Sequence, residues 1–286
     1  MNSDQGMIYS LAVRLTPTRT AAVRATLGHQ AHAAFLRTVR EADPALAEVL
    51  HVPQFQVRPF TVSPLLGVGR ARDGMVTVRP DEDYFLRFTV LYEPIFEQFM
   101  ARFLRGQGRP VVRLGRALFL VREILVTPES SPWAGYTSFG QLYRQARSES
   151  EIELEFTSPT VFSFGRKAWG HKFVPLPEPA LVFRSLWKKW NVCAFPEMTL
   201  DDALPEYVAE NVVVKRYQLE TRMQHFGRWP QVGFVGCVTF KLMGRRETDD
   251  LFRRQLNLLA GFAFYSGVGY KTTQGMGQCR RIERER

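Results

Sequence analysis

Four glycines crowd the end of this chain, and the backbone shapes they permit limit what can surround them. Residues 261–277 read Gly-Phe-Ala-Phe-Tyr-Ser-Gly-Val-Gly-Tyr-Lys-Thr-Thr-Gln-Gly-Met-Gly. The stretch starts as the apolar end of a helix and becomes a loop, with Gly267, Gly269, Gly275 and Gly277 around Lys271, Thr272 and Thr273. Glycine takes positive φ and lets another backbone come close. Successive exposed N–H groups, one lysine and two hydroxyls would together cradle phosphate. The spacing is not a Walker A loop, because no Gly-Lys-Ser/Thr opens a helix here, and it is not a dinucleotide fingerprint, because the helix precedes the glycines. It points to a sugar-phosphate backbone lying along the loop rather than to a bound nucleotide. A plain glycine-rich turn satisfies the same spacing.

Charge agrees with a polyanionic partner. The chain has 286 residues and a net charge of +10, which favours nucleic acid or an anionic membrane over acidic proteins. Apolar content of 45% supplies a full core, and the length suits one large or two ordinary domains. The three cysteines, Cys193, Cys237 and Cys279, form no Cys-x-x-Cys pair, which fits a reducing cytoplasm and not a zinc ribbon or disulfide scaffold. No apolar run approaches the ~18 residues of a transmembrane helix, and residues 1–5 lack a signal pattern, so a cytoplasmic protein without membrane attachment is expected.

Periodicity divides the chain into two similar orders of elements. Strands are expected at 7–15, 55–66 and 84–91, helices at 20–41 and 94–104, and one long or two short strands over 111–126. Pro44 opens a short helical turn ending at His51, and the prolines of 55–66 place that strand at an edge. Asp73-Gly74 signals a hairpin turn. Residues 1–130 thus read as a βαββαβ, ferredoxin-like domain carrying a histidine cluster, and 131–150, containing Ser, Pro and Gly, as a linker. From 151 the order recurs. Ile152, Leu154 and Phe156 alternate with three glutamates, helices are expected at 179–190 and 249–264, and strands at 211–222, 234–242 and 278–282. The fold class expected is α+β: two tandem ferredoxin-like domains, 1–130 and 151–286, the second bearing the glycine-rich loop.

Histidines offer the acid–base chemistry. Histidine titrates near neutral pH, so it suits both general-acid and general-base roles. Of five histidines, His29, His32 and His51 lie within 23 residues of one another. His32 falls at the edge of the apolar stripe Leu27, Ala31, Ala34, Phe35 and Val39, with His29 one turn before it. Each could equally be an ordinary surface histidine. His-x-x-His without a nearby cysteine is not zinc-helix spacing, so no metal site is expected.

The stretch 267–277 resembles the C-terminal glycine-rich loop of the CRISPR-repeat endoribonucleases of the repeat-associated (RAMP) superfamily. Gly28-His29-Gln30-Ala31-His32-Ala33-Ala34-Phe35-Leu36 with Leu50-His51, then Pro59-Phe60-Thr61-Val62-Ser63-Pro64-Leu65, then Ser158-Pro159-Thr160, Pro177-Glu178-Pro179 and Trp190-Asn191, extend that resemblance over nearly the whole chain. The resemblance implies an endoribonuclease that binds CRISPR repeat RNA and cuts precursor CRISPR RNA within the repeat, leaving a 2′,3′-cyclic phosphate and a 5′-hydroxyl. It implies no metal or organic cofactor and a possible hand-over of product to an interference complex. His32 matches one placement of the family's acid–base histidine and His51 another, with His29 as third candidate. Lys271 and Thr272 would contact phosphate, with Gly267, Gly269, Gly275 and Gly277 shaping the loop. Arg216, Arg222 and Lys188 would add binding charge, among a spread that also includes Arg184, Lys189, Arg245 and Arg246. The alternative is a non-catalytic RAMP subunit that holds guide RNA inside an interference complex; it would share the loop but need neither His32 nor His51.

Overall fold

The computed structural model describes residues 6–51, 57–69, 71–105, 110–226, 229–244 and 249–283. The chain divides into two units. The first comprises Met7–Tyr136 together with Thr273–Gly275, and the second comprises Thr137–Thr272 and the residues from Met276 onward, with Gly6.

In the N-terminal unit, β1 (Met7–Pro17) is the central strand, and its nearly unbroken run of buried residues reflects neighbours on both sides. It pairs antiparallel with β5 (Tyr84–Val90) and β7 (Ala117–Leu125). The sheet runs β3-β5-β1-β7-β6, with β3 (Phe60–Val62) at one edge and β6 (Val111–Leu114) at the other. Strands β1, β3, β5 and β7 thus stand in the spatial order of a ferredoxin-like βαββαβ unit, whose helices are α1 (Gly28–Ala42) and α3 (Glu93–Arg105). The helices cover one face through an aromatic cluster: Phe35 lies 4.7 Å from Phe60, 5.2 Å from Phe88 and 5.5 Å from Phe99. A short α2 (Pro44–His51) follows α1, and the break between them is written in Asp43-Pro44. Asp43 Oδ1 accepts the Leu46 N–H at 3.0 Å, and Pro44 takes the first helical position, where its missing N–H costs nothing.

One expectation for this unit is corrected. Residues 20–41 are not one helix. Ala21–Arg24 is strand β2, paired with β4 (Met75–Val78), and α1 starts only at Gly28. The β-branched Val23 packs at that pairing, whereas the helical stripe begins with Ala31. Asp73 and Gly74 turn the chain as expected, both at positive φ, with Arg72 and Met75 exchanging two backbone hydrogen bonds of 2.9 Å across the turn, and β4 then pairs with β2. The region 111–126 is two strands turned at Gly115.

The chain then passes through β8 (Gly135–Ser138) into α4 (Phe139–Arg144), capped by Ser138 Oγ, which accepts the Gln141 N–H at 3.0 Å. The second unit repeats the ferredoxin-like order. Its sheet runs β12-β13-β9-β14, built from β9 (Glu151–Thr160), β12 (Val212–Phe226), β13 (Trp229–Leu242) and β14 (Cys279–Arg281). Helix α5 (Pro179–Cys193) and helix α7 (Asp249–Ser266) back it. Trp190 joins them, edge-on to Phe262 at 5.1 Å and to Phe139 at 5.3 Å, while its indole N–H donates to the Met198 carbonyl at 2.8 Å. The acidic face of β9 is matched across the sheet: Glu151 by Lys215 and Lys241, Glu153 by Arg216, Glu155 by Arg280. Hydrogen bonds from Lys215 and then Lys241 hold the Glu151 carboxyl down at about 2. Periodicity did not reveal the hairpin of β10 (Phe162–Lys167) and β11 (Gly170–Val174), nor α6 (Leu204–Asn211).

Phe35 is 1% exposed at the centre of the N-terminal cluster. Phe35→Ala is expected to lower unfolding stability by about 3–5 kcal/mol, read as the shift in urea midpoint, with Phe35→Leu costing visibly less.

Candidate nucleic-acid interface and acid–base site

His32 owes its position to where α1 begins. The buried face of that helix carries Gly28, Ala31, Ala34, Phe35, Leu36 and Val39, which leaves His32 half-buried at the margin. Its ring stacks near Phe60, with centroids 5.7 Å apart, and Nδ1 lies 2.9 Å from the carbonyl oxygen of Thr273. A carbonyl only accepts, so Nδ1 carries the hydrogen. In the neutral ring the lone pair then sits on Nε2, and a second proton would enter there. This is the tautomer control by a backbone carbonyl that an acid–base histidine requires. Gly28 makes the arrangement possible: a Cβ there would stand 2.1 Å from the Gln274 carbonyl oxygen. Of the other candidates, His29 is exposed on the solvent side of α1. His51 is the last residue of α2, and its side chain lies outside the described residues. His171 lies in β11 and His225 near the end of β12, in the other unit.

The glycine-rich loop departs from the expected cradle. Its amides are mostly spent inside the protein. Val268 N–H donates to Gly277 O at 2.8 Å, Gly269 N–H to Ser185 Oγ at 2.9 Å, Tyr270 N–H to Val161 O at 2.9 Å and Gly277 N–H to Pro159 O at 3.1 Å. Gly267, Gly269, Gly275 and Gly277 all have positive φ, but a Cβ on Gly277 would meet Val268 O at 2.1 Å. The glycines therefore admit other segments of the protein, not a ligand backbone. The part left to a partner is the middle of the loop, half-exposed from Lys271 to Gln274. Lys271 takes φ 53, unusual for a side-chain-bearing residue. Its ammonium sits 3.8 Å from the centre of the Phe226 ring and 5.4 Å from that of Tyr270, and burial lowers its pKa.

The second unit also exposes aromatic and basic groups. Trp229 is 79% exposed, Trp169 71% and Tyr217 68%. Phe173 packs 5.8 Å from Tyr270, and His171 stacks on Phe173. Arg222 pairs with Glu220 and Arg216 with Glu153, all but Glu153 well exposed, and such surface pairs exchange readily for phosphate. Lys188 and Arg184 are exposed on α5. Arg245 and Arg246 lie outside the described residues.

Lys189 is the correction with most consequence. Read as one more surface charge, it instead turns its amine inward, where it donates to Ser266 O at 3.0 Å and Gly267 O at 2.9 Å. Desolvation pushes its pKa from 10.5 down to about 7. The signal was there to find. Lys189 follows Val182 and Leu186 at heptad spacing, on the apolar stripe of α5.

Two ferredoxin-like units, with a glycine-rich loop between the last helix and last strand of the second, define the RAMP class of protein. The comparisons sharpen this. The profile of the CRISPR Cas6 N-terminal domain matches residues 7–144, and that of the CRISPR-associated endoribonuclease Cas6 matches residues 154–279. CRISPR-associated endoribonuclease Cas6 of Streptococcus thermophilus is 27% identical over 145 residues, which is 51% of this chain and 56% of that protein. The namesake from Mycobacterium tuberculosis is 27% identical over 155 residues, 54% of this chain and 46% of that protein. The chain spans about half the length of the curated relatives it matches. A product complex of Thermus thermophilus Cas6 superposes with a TM-score of 0.79 at 27% identity, covering 96% of this chain and 100% of that one. The chain belongs to the Cas6 family of CRISPR-associated proteins.

Two outcomes test this geometry. Gly28→Ala drives a methyl into the loop backbone and is expected to cost at least about 1 kcal/mol of stability, whereas Gly69→Ala, with open space around it, is expected to leave the melting temperature unchanged. Lys189 gives a pH signature. Between about pH 7 and 10.5 the unfolded chain holds a proton on this amine that the folded protein has released, so stability rises with pH across that window. Denaturation midpoints from pH 6.5 to 9.5 are expected to show the rise in the wild type and lose that component in Lys189→Met.

Proposed function

We propose that this protein is an endoribonuclease that binds CRISPR repeat RNA and cuts precursor CRISPR RNA within the repeat. The observation that carries the reading is the 2.9 Å hydrogen bond from His32 Nδ1 to the Thr273 carbonyl. It presents Nε2 as the proton-transfer atom, and the loop that supplies the carbonyl also carries a cation, Lys271, and a hydroxyl, Thr272. The Thermus thermophilus protein that this chain resembles is described as a product complex, which supports RNA as the partner. RNA supplies the nucleophile. His32 Nε2 takes the 2′-hydroxyl proton, the 2′-oxygen bonds to the adjacent phosphorus, and the P–O5′ bond breaks. The leaving 5′-oxygen takes a proton from an acid, giving a 5′-hydroxyl and a 2′,3′-cyclic phosphate. Lys271 and Thr272 steady the charge on the phosphate as it develops. Binding charge comes from Arg216, Arg222 and Lys188, while Tyr217, Trp169 and Trp229 give faces on which unpaired bases stack. No step in this scheme calls for a metal ion.

The test is single-turnover cleavage of a labelled repeat RNA in excess EDTA, with affinity measured in parallel. His32→Ala is expected to slow cutting about 10²–10⁴-fold while leaving affinity nearly intact. His29→Ala, on the solvent side of α1, is expected to cut like the wild type. If His32→Ala cuts at the wild-type rate, His32 is not the proton-transfer group. If His51→Ala alone is silent, the acid–base site lies at the end of α2. A wild type that binds its repeat but never cuts is the guide-RNA-holding subunit instead.

A further inference from the structure

Among the described residues, Lys189 is the lysine whose amine is most deeply enclosed, and what encloses it is the root of the glycine-rich loop. Its Nζ stands 3.0 Å from Ser266 O and 2.9 Å from Gly267 O. These carbonyls end α7, where no further helical turn supplies donors and the helix dipole is negative. A third, longer contact of 3.5 Å reaches Thr272 Oγ1, five residues farther along the loop. One amine thus ties the loop's entry to its middle. The next residue after Gly267 and Val268 in this web, Gly269, is itself fixed to α5 through Ser185 Oγ, so one helix face grips the loop twice.

We infer that Lys189 is a positioning residue for RNA binding: by clamping Ser266, Gly267 and Thr272 from below, it holds Lys271 and Thr272 in the shape that meets the RNA backbone, without touching RNA itself. The inference rests on the RNA-cleaving reading above. The clamp works with either protonation state. The ammonium donates to both carbonyls and to the hydroxyl; the neutral amine donates to the carbonyls and accepts from the hydroxyl, because a threonine O–H serves either way. The titratable groups whose charge acts on the amine are the thiols of Cys193, one turn along α5, and Cys279 on β14. The loop middle needs such support. Lys271 is held at φ 53, and the glycines on either side leave the backbone little resistance of its own.

The test compares wild type, Lys189→Met, Thr272→Val and the double variant by three readouts: hydrogen exchange of amides 267–277, affinity for a repeat RNA, and single-turnover rate at saturating RNA. Lys189→Met keeps the length and removes the donors. It is expected to speed exchange in the loop and weaken RNA affinity by about tenfold or more, the scale of losing a buried hydrogen-bonded clamp. The rate at saturating RNA should fall too, because Lys271 and Thr272, which steady the developing charge, lose their support. Thr272→Val also removes a phosphate-facing hydroxyl, so it is read by exchange alone, where its effect should be smaller and largely disappear in the Lys189→Met background, as expected for residues sharing one contact. Thr272→Val also keeps the test open should Lys189→Met fail to fold. Exchange and affinity at wild-type levels in Lys189→Met would overturn the inference, as would weaker affinity with unchanged exchange, which would make Lys189 an RNA contact. A wild type that neither binds nor cuts repeat RNA would overturn the functional reading and the RNA half of this one, while the exchange data still decide whether the clamp exists.

Discussion

Backbone packed directly on backbone governs the C-terminal loop of this protein. Val268 and Gly277 face each other across a single hydrogen bond, and Pro159 and Val161 at the end of β9 accept the next two amides. Such an approach leaves no volume for a side chain, so the amino acid at Gly277 is dictated by its neighbours and not by any partner. Once those amides are consumed, the half-exposed Lys271, Thr272, Thr273 and Gln274 have a defined place. The chemistry proposed for the loop resides in that middle, and the glycines serve it at one remove.

The two sheets share an order of strands and differ in what their surfaces do. In the second unit the open face of β9 is a row of carboxylates answered by Lys215, Lys241, Arg216 and Arg280. Lys215, Lys241 and Arg280 are spent on these carboxylates, whereas the well-exposed Arg216 can exchange its own for phosphate. Basic and aromatic groups instead gather on the long β12–β13 hairpin and on the β10–β11 hairpin, where Trp229 and Trp169 stand clear of the core. The division is electrostatic in origin: charges that find partners across the sheet settle there, and those at the tips remain available.

Much of this was legible in the residues because local signals agreed with tertiary needs. Asp43-Pro44 marks a helix boundary by cap and ring geometry, and the alternation around Ile152 reports a half-wet strand. His32 was identifiable as a site candidate, but the reason for its orientation was not, because Thr273 is 241 residues away and no local pattern connects them. The segment 20–41 was misread because the short strand β2 owes its state to pairing with β4, a contact between distant residues. Lys189 was misjudged because composition treats every lysine as solvated; only its place on the apolar stripe of α5 hinted otherwise.

The distance between His32 and Thr273 along the chain has a consequence in time. A ribosome releases α1 first, and the carbonyl that sets the histidine's tautomer belongs to a residue made 241 positions later. The ferredoxin-like sheet of the second unit likewise lacks its edge strand β14 until residues 279–281 emerge. Nascent chains would therefore carry a folded N-terminal core whose acid–base group stays unaligned until Thr273 emerges, and the cleavage proposed for this protein would wait on that residue.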